Sequence, residues 1–147
     1  MTDKSKKLAA EALSNCLSTR LRLATRVITK VYDDALRPFG LTASQMSLLA
    51  MAASCDILRQ AEVSTLLQMD NSTLSRNLDR MRANGWLEKV AGEDARVHSH
   101  RLTASGKALF EQAMPAWRVA QRRAQKLLGE SGVKALRRFA SEHGLTV

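Results

Sequence analysis

The chain has 147 residues, of which 45% are hydrophobic and 4% aromatic, and its 23 Lys and Arg against 14 Asp and Glu give a net charge of +9. So few aromatic residues argue against a platform for single-stranded nucleic acid, which needs exposed rings, whereas the positive charge favours a polyanionic partner. Two cysteines are too few for a disulfide scaffold, and charged first residues without a long apolar run predict a cytoplasmic protein with no membrane partner.

The first part of the chain, residues 1–41, is predicted to contain one long helix from about Leu8 to Leu36, after a polar segment at 1–7. Its apolar residues step by four and three, which is the spacing of a heptad-like seam: Leu17, Leu21, Ala24, Ile28, Val31 and Ala35. Such a seam has to be buried, either within the chain or against a second copy. Pro38 and Gly40 are expected to end the helix.

The middle part, residues 42–102, has the pattern of a winged helix-turn-helix. Thr42 and Gln45 form a capping box that opens a short apolar helix. The segment RQAEVSTLLQ at 59–68 predicts another helix, and a turn at 68–70 leads into the next one. In a helix-turn-helix the second helix enters a DNA groove and the first supports it.

That second helix corresponds to the stretch DNSTLSRNLDRMRANG at 70–85. Leu74, Leu78 and Met81 form one apolar stripe, and Asp70 or Asn71 can cap the start of the helix. The other side carries hydroxyls and charges: Ser72, Thr73, Ser75, Arg76, Asp79 and Arg80. A helix with this composition suits the major groove of DNA, although a solvated surface helix has the same pattern.

A β-hairpin is predicted after Gly85, which suits a left-handed helix end. The segments WLEKV and RVHSHRL flank the polar tip AGEDA. A hairpin after such a helix is a wing, whose tip can carry an arginine into the minor groove. His98 and His100 alternate and share one face of the second strand, where exposed or phosphate-facing histidines are favoured over a metal site.

The last part, residues 103–147, is predicted to be helical. Thr103 caps a helix that Pro115 should kink or restart, and the region from Gly129 to Gly132 should separate a final short helix. The fold class is therefore mainly α with a small β-hairpin wing. The first and last parts are expected to pack together and to form the dimerisation helices of a two-fold dimer.

Four segments together resemble the MarR family of bacterial transcription regulators, over nearly the full length of the chain: RPFGLTASQMSLL, LLQMDNSTLSRNLDRMRANGWLEK, EDAR and RLTASGKALF. The resemblance implies a homodimer that binds a pseudo-palindromic operator in double-stranded DNA, usually as a repressor. It also implies release by a small, often aromatic ligand that enters between the dimerisation helices and the winged lobe. Asp94 and Arg96 are similar to the family's wing signature, in which the acid steadies an arginine, whereas Ala95 stands where many relatives have a basic residue.

These considerations select two sets of site residues. The predicted DNA contacts are Ser72, Thr73, Ser75, Arg76, Arg80, Asp94, Arg96 and His98. Within this set, Arg76 is assigned to a guanine edge or a phosphate, and the hydroxyls and Arg80 to phosphates. The candidate ligand contacts are Cys16, Arg20, Met46 and Trp117. For the second set, ordinary core packing or surface exposure is the alternative.

The predicted function is therefore a MarR-like DNA-binding regulator that needs no cofactor and no metal. An enzyme is disfavoured because the chain has no nucleophile elbow, no phosphate-binding glycine loop and no paired carboxylates on a plausible cleft. Two alternatives remain open: a regulator that senses oxidants through Cys16, and a nucleic-acid-binding protein indifferent to sequence. A packed and inert Cys16 is favoured over a sensor, because Tyr32 is the only tyrosine available as a partner.

Overall fold

The computed structural model describes residues 3–90 and 98–145. A short 3-10 turn at Arg37–Phe39 separates the second and third helices. The elements in chain order are α1 (Asp3–Asn15), α2 (Leu17–Leu36), α3 (Ala43–Ser54), β1 (Leu58–Arg59), α4 (Gln60–Leu66), α5 (Asn71–Ala83), β2 (Leu87–Val90), β3 (Ser99–Leu102) and α6 (Ala104–Glu142). This mainly helical fold with a small antiparallel sheet confirms the predicted class.

The N-terminal region is two helices rather than the one long helix expected. Helix formation already starts at Asp3, so the polar segment belongs to α1. Cys16 then leaves the helical conformation, with φ −68° and ψ 104°, and its sulfur accepts the backbone N–H of Thr19 at 3.4 Å. The side chain thereby caps α2 and offers the backbone an alternative to continuing α1. No residue of α1 is buried, so no core contact holds the two helices in line.

The core lies in the winged lobe, where α3, α4 and α5 meet the sheet and the first half of α6. Leu74, Leu78 and Met81 of α5 are all buried, as their spacing predicted. Burying each such side chain stabilises the fold by about 1.5–3 kcal/mol. The capping box is confirmed: Gln45 N–H donates to Thr42 Oγ1 at 3.2 Å, and Thr42 N–H donates to Gln45 Oε1 at 3.0 Å.

The sheet has three strands in the order β1-β3-β2, one more than predicted. His100 in β3 is opposite Leu58 of β1 on one side and Lys89 of β2 on the other. β1 was missed because a two-residue strand has no alternation of apolar and polar residues to detect. The predicted hairpin tip lies outside the described residues.

Helix α6 continues through Pro115 with helical backbone angles, so the predicted restart at that position is wrong. Pro115 and Glu111, whose carbonyl loses its helical partner, are both exposed, and water can satisfy that carbonyl. The interruption lies at Gly129 instead, with φ 70° and ψ 166°. A positive φ of this kind is accessible to glycine and strained for other residues.

The two ends of the chain pack on each other through α2 and α6. The rings of Tyr32 and Trp117 are 6.2 Å apart, and the Tyr32 hydroxyl donates to Gln121 Oε1. The first half of the predicted heptad-like seam is not buried within the chain, since Leu17 is 74% and Leu21 59% exposed. Among the described residues, no helix combines the length and apolar character needed to span a bilayer.

Candidate nucleic-acid interface

Helix α5 presents opposite faces to the core and to the solvent. The side with the apolar stripe is buried, and the other side exposes Ser72, Arg76 and Arg80. The Arg76 Nε donates to the Ser72 carbonyl at 3.3 Å, and the residue is exposed on α5. A helix of this kind can offer cations to a DNA groove without losing its packing.

Asp70 is the residue that caps α5, rather than Asn71. Its Oδ1 accepts the Ser72 hydroxyl at 2.6 Å and the Thr73 N–H at 2.8 Å. These two bonds, that of Ser72 first, lower the pKa of Asp70 below its ordinary value, and Arg76 adds a smaller effect in the same direction. The Ser72 hydroxyl proton is therefore engaged, and it must leave Asp70 before it can donate to a phosphate.

Gln60 belongs to this surface, although nothing in the sequence singled it out. Its side-chain Nε2 donates to Ser75 Oγ at 2.8 Å, and its backbone N–H donates to the His98 carbonyl at 3.0 Å. Ser75 and Thr73 are half-buried. Gln60 thus links α4 to α5 and to His98, which directly precedes β3, and Ser75 contributes to positioning α5.

The turn between α4 and α5 forms without the glycine that often stands there. Gln68 adopts a left-handed conformation with φ 48°, which costs about 1–2 kcal/mol for a residue with a side chain. The Gln68 amide donates to the Thr65 carbonyl at 2.9 Å. The Ser64 hydroxyl donates to the Met69 carbonyl at 2.9 Å, and Met69 N–H donates back to Ser64 at 3.2 Å. These bonds compensate for the strain.

A small polar cavity of about 210 Å³ lies between α5 and the sheet, lined by Gln60, Ser75, Leu78, Asp79, Arg82, Lys89, His98 and His100. The two histidines share this face, as predicted. His98 is exposed, whereas His100 is 3% exposed, and no described group bonds to its Nδ1. The expectation of an exposed or phosphate-facing His100 is therefore wrong, because β3 is the central strand. Within residues 3–90 and 98–145, no group of three metal-ligating side chains comes together.

Burial lowers the pKa of His100 below its ordinary value. Arg82, His98 and Lys89 lower it further, because they surround the ring with positive charge, and Asp79 acts weakly in the opposite direction. The Asp79 carboxylate is already paired with Arg82 at 3.1 Å. His100 is thus held neutral in the folded protein at pH values where a free histidine takes up a proton.

We expect His100→Leu to raise the free energy of unfolding by about 1–3 kcal/mol, because it removes a buried nitrogen without a partner. Since the unfolded chain binds a proton below about pH 6.5 and the folded chain does so only at lower pH, stability of the native protein should fall as the pH drops from 7 through that range. Urea unfolding at several pH values tests both effects. The control is His143→Gln, at an exposed histidine, and its stability should decrease with falling pH as that of the native protein does. If the stability of His100→Leu decreases equally steeply, His100 is not the group responsible.

Two of the predicted DNA contacts, Asp94 and Arg96, lie outside the described residues, so their roles stay predictions. The ligand candidates separate into two pairs. Cys16 and Arg20 lie at the junction of α1 and α2, where the Arg20 guanidinium donates to the Ser14 carbonyl. Met46 is buried in α3, and Trp117 is half-buried on α6. Hydrogen bonds from Thr19 lower the pKa of the Cys16 thiol.

Comparison with known proteins finds relatives that are similar to this chain in sequence and in fold. The M. tuberculosis transcriptional regulator MOSR, solved in complex with DNA, is 35% identical, with a TM-score of 0.77 over 88% of this chain and 94% of that chain. The uncharacterised helix-turn-helix regulator YwoH of Bacillus subtilis is 30% identical over 93 residues, which are 63% of this chain and 68% of YwoH. MarR of Escherichia coli is 30% identical over 84 residues, 56% of this chain and 58% of MarR. The chain belongs to the MarR family of winged-helix transcription regulators.

The fold agrees with that of MarR itself beyond the matched sequence. A mutant of E. coli MarR complexed with operator DNA superposes with a TM-score of 0.77 over 89% of this chain at 22% identity. Wild-type MarR in its apo form gives 0.67 over 86% at 23% identity. No family model matches the chain. The winged lobe and the helical ends of this MarR-family member therefore have the arrangement seen in solved relatives.

Proposed function

We propose that this MarR-family protein is a homodimer that binds a pseudo-palindromic operator in double-stranded DNA and represses transcription. The observation that carries the proposal is α5, the second helix of the helix-turn-helix, which is packed on one side and exposes Arg76 and Arg80 on the other. Solved relatives support it: MOSR and a MarR mutant are bound to DNA, and CouR is a transcriptional repressor bound to a DNA duplex. Such a protein acts in the cytoplasm, where its operator is.

The predicted DNA contacts have the following proposed roles. Arg76 contacts a base edge, where its guanidinium can bond to guanine, or else a phosphate. Arg80, Thr73 and Ser72 contact phosphates and hold the helix in register. Arg96, steadied by Asp94, enters the minor groove, where the negative potential is strongest in narrow segments. His98 contacts the DNA backbone beside it.

The helical ends supply the dimer interface in this proposal. Large apolar side chains are exposed on α1, α2 and α6: Leu8, Leu13, Leu17, Leu21, Leu23, Val27, Val119, Leu127, Leu136 and Phe139. This many exposed apolar residues favour association with a second copy. A two-fold dimer presents two α5 helices about 34–36 Å apart, which is one turn of DNA.

A small aromatic ligand is proposed to release the DNA by entering between the helical ends and the winged lobe. Tyr32 and Trp117 form a half-buried aromatic pair at the α2–α6 contact, near the core that includes Met46. A cysteine switch is the second candidate, favoured by the lowered pKa of Cys16. The Cys16 sulfur already caps α2, and Tyr32, the only tyrosine available as its partner, packs on Trp117 instead. The ligand mechanism therefore has the stronger support.

We expect Arg76→Ala to weaken binding to the preferred duplex by about 1–3 kcal/mol and to relax the preference at the contacted base pair. The duplex is obtained by selection from random DNA, and affinity is measured by gel shift. Arg138→Ala is the control, because that cation lies on α6 and pairs with Glu142 at 3.2 Å. Unchanged affinity in Arg76→Ala contradicts the assignment of α5. Equal affinity of the native protein for selected and random duplexes favours the sequence-indifferent alternative.

A further inference from the structure

The net positive charge of the protein lies on its helical ends and not on the winged lobe. Residues 42–102 contain seven Lys and Arg and seven Asp and Glu, so the lobe is neutral. Residues 1–41 contain eight basic and four acidic residues, and residues 103–147 contain eight and three. The charge that suggested a polyanionic partner is therefore carried by the part of the molecule that does not hold the helix-turn-helix.

On α6 this charge forms a defined surface. Four exposed cations, which we name the α6 basic row, occupy the outer face of the helix: Arg118, Arg122, Arg123 and Lys126. Three of them repeat every fourth residue and so extend over roughly 12 Å at 1.5 Å per residue. In the described part of the chain, none of the four forms an ion pair, whereas Lys134 pairs with Glu130 at 2.5 Å on the same helix.

A second copy of this chain is a poor source of negative charge for the α6 basic row. It brings the same basic helical ends, so its approach adds repulsion at the row, although it can cover the apolar side chains. A membrane surface is also a poor fit. An interfacial helix inserts an apolar face beside its cations, whereas Ala120 and Ala124 of α6 are buried within the protein. Within residues 118–127, the exposed large apolar side chains are Val119 and Leu127, which are too few to form an apolar face for insertion.

We propose that the α6 basic row binds the phosphates of a second DNA duplex, so that a dimer held on its operator by α5 bridges to another DNA segment. This inference rests on the proposed function. Three cations of the row repeat about every 6 Å along the helix, and a duplex offers them a dense row of negative charge, one phosphate per roughly 3.4 Å of each strand. The row begins roughly 21 Å and ends roughly 33 Å along α6 from Ala104. The operator duplex would have to bend sharply to reach it, and such bending is costly.

The test is a bridging assay with the full-length protein. A selected duplex is immobilised and loaded with protein, and a fluorescent duplex of unrelated sequence is then added over a series of salt concentrations. We expect the native protein to retain the second duplex. The triple variant Arg118→Gln, Arg122→Gln and Lys126→Gln should retain about tenfold less, with the slope of log affinity against log salt reduced by about 2.7. Retention is normalised to the protein present on the first duplex.

The matched control removes the same charge from other positions. Lys7, Lys134 and Arg138 are all ion-paired within their own helices, so their triple replacement by glutamine should leave bridging within about twofold. Equal loss in both triples overturns the proposal, because net charge alone then explains binding. Absence of bridging by the native protein also overturns it, as does retention of phosphatidylserine vesicles in place of the second duplex. The amount of protein bound to the first duplex measures DNA binding by α5 separately. If the protein does not bind that duplex, the proposed function fails, whatever the second duplex does.

Discussion

Replacing Leu17 and Leu21 together by glutamate should convert dimers to monomers and lower the affinity for operator DNA by about 100- to 10,000-fold. The two side chains lie one turn apart on α2 and are 74% and 59% exposed. Covering each leucine with a second chain contributes about 1.5–3 kcal/mol. A glutamate at the same place loses this contribution and adds a charge that is costly to bury. The DNA affinity falls because a monomer binds through one α5 alone. In a dimer, binding of one α5 holds the second α5 close to the neighbouring half-site.

Sedimentation and gel-shift measurements on the same samples test this prediction. The control carries Ala53→Glu and Ala61→Glu, two exposed positions in the winged lobe, and it should keep the native mass. If the Leu17 and Leu21 variant stays dimeric, these residues do not belong to the interface. If it becomes monomeric and still binds the operator as tightly as before, the reading of two half-sites by paired α5 helices is wrong.

The start of α6 packs on the turn that follows α5 so closely that only glycine fits at position 106. The Thr103 hydroxyl donates to the Gly85 carbonyl at 2.6 Å and accepts the Gly106 N–H at 3.0 Å, which caps α6. A Cβ added to Gly106 would lie 2.2 Å from the Trp86 carbonyl oxygen and 2.8 Å from Leu102 Cδ1. This contact gives a physical reason for the Thr-x-x-Gly spacing at the entry to the helix.

Gly106→Ala should therefore lower the free energy of unfolding by about 1–3 kcal/mol or more, because backbone has to move to admit the methyl group. DNA affinity should fall with it, since the same contact orients α5 relative to α6. Gly132→Ala is the control, since its Cβ would meet only Leu128 Cβ, at 3.4 Å, and alanine favours the helix. Urea unfolding at one protein concentration compares the two variants. Equal stability of Gly106→Ala and the native protein would show that the close packing of α6 is absent.

Much of the winged lobe could be predicted because its signals are local. The stripe of Leu74, Leu78 and Met81 appears in the sequence as a helical repeat and in the structure as the buried face of α5. The capping box at Thr42 and the cap at Asp70 involve residues three apart. Each of these features depends on a few neighbouring residues, so the sequence pattern already contains the cause.

The errors have two causes: signals that apolar periodicity does not contain, and pairing with a distant segment. A heptad-like seam predicts helix through Cys16 because the pattern of apolar residues ignores a thiol that caps the next helix. His100 alternates with His98 as in a half-exposed strand, yet β1 pairs with its free edge and buries it. Pro115 was expected to distort α6, but it and Glu111, whose carbonyl it deprives of a partner, are both exposed. Only the burial of His100 depends on a distant segment of the chain. The other two errors are local, and they arose because the pattern of apolar residues carries no information about a cap or about how a backbone carbonyl is satisfied.

The sequence by itself determined the helix-turn-helix, the exposed face of α5 and the total charge, because these follow from residue type and short spacing. Only the tertiary structure decided which histidine is buried, how Gln60 joins α4 to α5, and which cations on α6 lack a partner. The neutral middle part and the basic ends follow from the sequence as well, because they are counts of charged residues in each segment. The properties that the tertiary structure decided depend on which distant segments meet, and that is set by the burial of the whole chain.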